Sequence, residues 1–495
     1  MQPGEERWIV FRTRRQQVGF RASGTETGIS PNGTELNTLE LTPRIGMSDV
    51  GLIEEPDARR RLGLPERPPF PRLNDLAATR LIPAGDASWT TADITVSTSA
   101  DQTPIAPGRR VSDRVHDGRR TARFLSDAPI KNLFPIQSGR YAVRRQVHGG
   151  VEYAVYYHPA HRWNVDRMLT AMRVSIDYYS RAFGPYQFDQ IRIVERPDPF
   201  GGQAFANTIA VGEGIFPMDL RDPETLDMVT MLTAHEIAHQ WWGHQFLGAR
   251  MQGASLLYES LSQYSALMVL KRIQGEAGVR RFLRFQLDRY LSGRRTQVLA
   301  EEPLASAGLD QDYVNYGKGA LALYLLQERI GETAVNRALR RFVDRYRFTV
   351  APYPRSLDLI ALLRAEAGPE DQALITDLFE RITLYDLSVD RPTAVRRSDG
   401  RWDVTVPMEA RKTYADGRGN TREARLSEPI EIGLFSAGPG SGDGGSVIMI
   451  ERRPIRTGRQ VLRFVTERQP THAGVDPSNL YIDRNADDNV AAVDG

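Results

Sequence analysis

Two changes of hydrophobic period constrain what this chain can fold into. Up to about residue 143 the apolar residues fall in short alternating runs, "WIVFRT", "ADITVSTSA" and "GRYAVRRQVHGGVEYAVYYHP", and the last carries a Gly149-Gly150 hairpin signal. Between the first two runs "GLPERPPFPRLND", with four prolines, reads as an extended connector. From Asn164 the spacing becomes helical: "VDRMLTAMRVSIDYYSRAFG" repeats apolar residues at three and four positions and stops at Gly184. "QIRIVERP" then reads as a strand, and helical patterns dominate from Asp222 to about Leu384. Alternation returns in "RWDVTVPMEARKTYAD", "EPIEIGLFS", "SVIMIERRPI" and "RQVLRFVTER", divided by turn clusters such as "DGRGN". No internal repeat is present. The pattern predicts an α+β multidomain chain: a β-rich N-terminal domain over 1–143, a mostly helical domain over 144–385, and a small C-terminal β-sandwich over 386–495.

Composition narrows the chemistry. Cysteine is absent from all 495 residues, so no disulfide forms and any metal must be held by His, Asp or Glu. A net charge of +2 carries no signal for nucleic acid. No run approaches the ~18 apolar residues of a membrane span, and Arg14-Arg15 is followed by no apolar stretch of an export signal. Two motifs are set aside. "GSGDGG", Gly440 to Gly445, joins two β-like runs and opens no helix, so it reads as a hairpin loop rather than a dinucleotide fingerprint. "DRNADDNVAAVDG" lacks the glycine and final glutamate of a calcium loop and reads as a solvated acidic tail.

The chemistry concentrates in "TAHEIAHQWWGHQ". His235 and His239, four apart on a helix, share one face and can converge on one ion; Glu236, at a different angle, can reach a water beside it. The competing reading is a buried histidine pair satisfied by hydrogen bonds. Glu259 is the acidic residue in the apolar helical run "GASLLYESLSQYSALMVLKR", where an unpaired buried carboxylate is costly; a metal partner explains it, and so does a place at the edge of the apolar stripe. Tyr316 precedes Gly317-Lys318-Gly319 and an Ala/Leu-rich helix. Beside a metal its hydroxyl can donate to an oxyanion; alone it reads as a packing residue.

These residues resemble the gluzincin aminopeptidases, the family of aminopeptidase N and leukotriene hydrolase. "HEIAHQWWG" matches their H-E-x-x-H-Q-W-[WF]-G, and "YGKG" matches their Tyr-x-Lys-Gly. Glu259 follows His239 after 19 residues, Gln240 to Tyr258, one more than is usual in the family, and Ser260 stands where a glycine is usual. The resemblance spans residues 130 to 385 and implies a thermolysin-like, mostly helical zinc-peptidase domain. It implies one Zn2+ held by His235, His239 and Glu259, with Glu236 and Tyr316 catalytic and a peptide as substrate. It places Gln203, Ala204, Phe205, Ala206 and Asn207 on the substrate-binding edge strand. The family carries Gly-Ala-Met-Glu-Asn there, its glutamate holding the substrate's free amine; here Ala206 stands at that glutamate, and Glu213 lies seven residues on. The stretch "HQWWGHQFLGARMQGASLLYESLSQYSALMVL" also resembles peptidase-like ectodomains attached to ABC-type permease segments of bacterial membrane proteins. That implies an extracytoplasmic piece of a longer polypeptide.

The reading that follows is a zinc metallopeptidase with Glu236 as general base and N-terminal amine recognition in question. The competing one is a catalytically weak peptide-binding or regulatory ectodomain of a membrane transporter, favoured by Ala206 and opposed by the intact Glu236 and Tyr316. His244 has no assigned role: it reads as a group behind the metal site or as a surface histidine past the helix end.

Overall fold

The computed structural model describes residues 8–16, 28–30, 32–43, 53, 56–65, 70–81, 88–297, 300–308, 310–438 and 447–494. The glycine-rich loop at Gly440 to Gly445 lies outside them.

The alternating N-terminal runs pair into small antiparallel sheets. Gly33–Asn37 pairs with Pro135–Gly139, and Arg119–Leu125 lies between Asp93–Ser99 and Arg109–His116. "WIVFRT" is a correction: residues 8 to 13 form no strand, and Trp8 and Val10 are almost wholly exposed. Alternation makes a strand only where a neighbour supplies the ladder and a core takes the apolar face.

Five strands form the sheet that positions the site: β1 (Ala142–His148), β2 (Val151–Tyr157), β3 (Gln190–Arg196), β4 (Gly202–Phe205) and β5 (Thr208–Gly212), in the spatial order β1-β2-β3-β5-β4. The β1–β2 hairpin turns at Gly149 and Gly150, both at positive φ, which glycine adopts without strain. β2, β3 and β5 run parallel, and β4 returns antiparallel as the outer strand. The crossover from β2 to β3 is α1 (Val165–Phe183), whose buried face includes Met168, Met172, Ile176, Tyr179 and Phe183 and which ends at Gly184, φ +116°.

Beyond the sheet the chain is helical: α2 (Met228–Ala238), α3 (Leu261–Thr296, kinked at Gly275), α4 (Gly319–Ile330), α5 (Glu332–Tyr346) and α6 (Ser356–Glu366). Asp227 caps α2 by accepting from Thr230 N at 2.9 Å. Past its end Trp241 and Trp242 are fully buried, their indole N–H groups donating to Gly184 O (2.9 Å) and Ser265 Oγ (2.8 Å). Each thus spends a large apolar surface in the core without stranding its polar atom.

From Ile382 the chain forms two antiparallel sheets. One is built around Trp402–Ala415 and the other around Ser427–Phe435. Leu384, Val404, Ile432 and Val475 from these sheets join one apolar core with the helices. The acidic C-terminal segment departs from the expected solvated tail: Val490–Ala492 pairs with His472–Val475, and Asp483 is fully buried. Among the described residues no helix is long and apolar enough to cross a membrane.

Candidate metal and peptide site

Helix α2 is buried almost throughout, and its last turn presents His235 and His239 on one face. Their Nε2 atoms lie 3.2 Å apart. Glu259 Oε2 lies 3.3 Å from His235 Nε2 and 3.5 Å from His239 Nε2. Tetrahedral zinc with bonds of about 2.0–2.1 Å spaces its ligand atoms by roughly 3.3 Å, so the three atoms stand at the corners such an ion requires. His239 Nδ1 faces Trp242 O at 3.0 Å, which makes Nδ1 a donor and leaves Nε2 on the side of Glu259. Burial opposes charge on His239, but Glu259 outweighs it and lifts the imidazole to about 9. Burial likewise opposes charge on Glu259, and the two imidazoles hold its carboxyl well below the usual range. These groups stabilise positive charge between them, and the donor set fits zinc.

The other two groups come from unusual backbone. Glu259 sits in a π-helical turn, Leu256–Ser260, that opens α3, and Tyr316 in a second, Tyr313–Lys318, that opens α4. Such wide turns redirect side chains and recur at functional sites. Ser260 Oγ donates to Asn315 O at 2.6 Å and ties the two turns together. Gly319 permits that approach, since a Cβ there would lie 2.2 Å from Ser260 Oγ. The Tyr316 ring stacks on His235 with centroids 5.8 Å apart, and the Arg289 guanidinium lies 4.4 Å from its centre. Burial, then the charge of Glu259, push the Tyr316 hydroxyl far above its ordinary range, so it remains a proton donor. Lys318 turns away from the site: its Nζ donates to Arg381 O at 2.8 Å and anchors the turn.

Glu236 is 5% exposed, and burial raises its carboxyl against the pull of His235 and His239. It faces β4, where a Cβ on Gly202 would lie 2.6 Å from Glu236 Oε1. The five strand residues divide. Gln203 is exposed on the outer strand, Ala204 is half-buried and Phe205 is buried. Ala206 and Asn207 form the β4–β5 turn, Asn207 at φ +50°. Ala206 is buried with Ile130 and Phe188. The carbonyls of Ala204 and Phe205 accept from His244 Nε2 (3.2 Å) and Gln240 Nε2 (2.9 Å), while Asn207 N donates to Gln240 Oε1 (2.9 Å). His244 is therefore a buried tie between the metal helix and the strand, not a surface histidine. Gly202, Gln240 and Arg289 were not singled out by sequence. Gln240 and His244, four apart on the segment that leaves α2, carried the spacing that could have found them.

Residues 166–373 match the peptidase family M1 domain. The chain is 28% identical over 197 residues to a probable aminopeptidase 1 of Sulfurisphaera tokodaii, covering 37% of this chain and 24% of that protein. It is 26% identical over 227 residues to aminopeptidase M1-B of Oryza sativa subsp. japonica, covering 43% and 25% respectively. The matches thus span about a quarter of these relatives. An M1 zinc metallopeptidase from Deinococcus radiodurans aligns with a TM-score of 0.46 at 21% identity, over 59% of this chain and 64% of that one.

Proposed function

We propose, from the premise that residues 166–373 form a peptidase family M1 domain, that the chain is a zinc metallopeptidase of aminopeptidase-like mechanism. The observation that carries this reading is the meeting of His235 Nε2, His239 Nε2 and Glu259 Oε2 at 3.2–3.5 Å, with Glu236 one residue along the same helix. Zinc held by these three side chains would supply the Lewis acid that lowers the pKa of an attacking water and polarises a peptide carbonyl.

The remaining work falls to the chain's own groups. Among the described residues β4 pairs on one side only, with β5. An extended peptide can add along its free edge, with its scissile bond brought toward Glu236, which lies against Gly202. The Glu236 carboxylate takes the proton of the attacking water and returns it to the leaving nitrogen. The Tyr316 hydroxyl donates to the oxygen on which charge develops. At Ala206 the turn offers a methyl group among apolar neighbours and no carboxylate for a substrate ammonium. Hydrolysis by this chain therefore does not require a free N-terminus recognised at that position.

The test is a mixed peptide library, half with free and half with acetylated N-termini, given to the zinc-loaded chain and to Glu236→Gln. Wild type cleaves both halves, and the variant keeps its zinc while losing at least ~100-fold in rate. Cleavage of free peptides alone would restore amine recognition to some other group. Cleavage of neither half with zinc bound would assign the chain to the peptide-binding class instead.

A further inference from the structure

A second cluster of ligand-type side chains lies at the carboxyl ends of the parallel strands. His161 follows β2, Glu195 is the penultimate residue of β3, and Glu213 follows β5. Since β2, β3 and β5 are parallel neighbours, with Glu195 opposite Val211 and Arg196 opposite Gly212, their exits emerge side by side. Crevices outside the carboxyl ends of parallel strands are where open sheets of this kind bind ligands. Here they open into a cavity of about 420 Å³ whose lining includes Glu35, Tyr141, His158 and Arg196 as well as the three.

The cavity carries more negative than positive charge. Glu35, Glu195 and Glu213 face it, and of the cations there Arg196 is already shared, with Asp198 at 2.9 Å and Glu35 at 3.9 Å. Glu195 is 6% exposed; its Oε2 accepts from His158 N at 2.6 Å, and its Oε1 lies 2.5 Å from His161 Nδ1. Burial holds the Glu35 and Glu195 carboxyls above their ordinary range. One ring nitrogen of His161 and one oxygen each of Glu195 and Glu213 lie within 4.8 Å of one another. Carboxylates crowded in this way are costly unless protonated or matched by a cation.

We propose that His161, Glu195 and Glu213 form a second divalent-metal site, separate from the His235–His239–Glu259 cluster. An imidazole beside two carboxylates suits zinc and related transition ions better than calcium or magnesium, which take oxygen ligands. The 2.5 Å contact between His161 Nδ1 and Glu195 Oε1 is the one an entering ion would separate. Glu213 is the exposed member, so ions enter from its side.

The experiment strips the full chain with chelator, equilibrates it with ZnCl2, and reads metal content and calorimetric stoichiometry, with thermal melts as a check on folding. Wild type binds about two equivalents, matching two three-ligand sites. His161→Ala and Glu213→Gln each fall to about one equivalent and keep peptide hydrolysis, whereas His239→Ala falls to about one and loses it. Because Glu213 is exposed, the Gln variant tests the site even if His161→Ala fails to fold. One equivalent in wild type, lost in His239→Ala, overturns the second site and leaves the peptidase reading standing. One equivalent that survives in His239→Ala but is lost in Glu213→Gln removes the catalytic zinc instead. Two equivalents retained in both His161→Ala and Glu213→Gln place the extra ion elsewhere and overturn the proposal.

Discussion

At position 202 the chain has room for no side chain. The Glu236 carboxylate occupies the space a methyl group would need, with Oε1 at 2.6 Å and Cδ and Cγ at 2.7 Å from the Cβ position. The backbone of Gly202 lies in a strand and has no positive φ, so Gly202→Ala acts through that collision and not through strain. A displaced general base costs rate steeply, about 100-fold for a shift near 1 Å. Gly202→Ala should therefore lose 10- to 100-fold in kcat while metal content and melting temperature stay near wild type. Wild-type turnover would show that Glu236 need not stand where it does. His235 and His239 were legible in the sequence because residues four apart on a regular helix must share a face, and Glu236 because it stands between them in the same motif. Gly202 was not: the collision that explains it lies across the fold, and a glycine in a loop-rich stretch reads as a turn. Glu259 stood out as a carboxylate in an apolar helical run, Tyr316 took its role only from the resemblance, and their π-helical turns have no signature in hydrophobic spacing.

The β4–β5 hairpin is held to the metal helix by side chains. Gln240 receives the Asn207 N–H and donates to Phe205 O, and His244 donates to Ala204 O. Gln240 is fully buried, so Gln240→Ala strands a backbone donor and acceptor where water does not readily replace it. The expected loss is on the order of 3 kcal/mol. If β4 is the strand along which peptides lie, KM should rise more than kcat falls, and hydrogen exchange should quicken over residues 202–212 ahead of α1. Exchange unchanged in the hairpin would mean that pairing with β5 alone holds it. The existence and order of these elements were largely readable from period and turn residues: α1 with its Gly184 stop, the Gly149-Gly150 hairpin, and the strand at Gln190–Arg196. The tie between strand and helix was not, because it runs through a glutamine and a histidine whose partners are backbone atoms more than thirty residues away.

Over the whole molecule the C-terminal segment closes the structure onto itself. Asp483 pairs in a bridge with Tyr385, accepts from Leu387 N (3.0 Å) and Asn485 N (3.0 Å), and Asp487 meets Arg284 of α3 at 2.8 Å. Composition made this segment look like a tail, since acidic residues usually face solvent; strand pairing and the Asp483 hydrogen bonds override that preference. Burial, against the pull of those hydrogen bonds, raises the Asp483 carboxyl from its ordinary 3.8 to about 6. The folded chain thus holds this proton more tightly than the unfolded one. Its contribution to stability is fully present below the unfolded pKa and is lost as pH rises through about 6. An asparagine has the same shape and no charge to bury. Between pH 4 and pH 7 the stability of Asp483→Asn relative to wild type should improve by roughly 2 kcal/mol, read from denaturant unfolding at each pH. A difference that stays flat across that range would mean that Asp483 ionises as easily in the folded chain as in the unfolded one. Because Arg284 lies on the helix whose opening turn carries Glu259, zinc retention followed over the same pH range would reveal whether loosening this closure reaches the metal ligands.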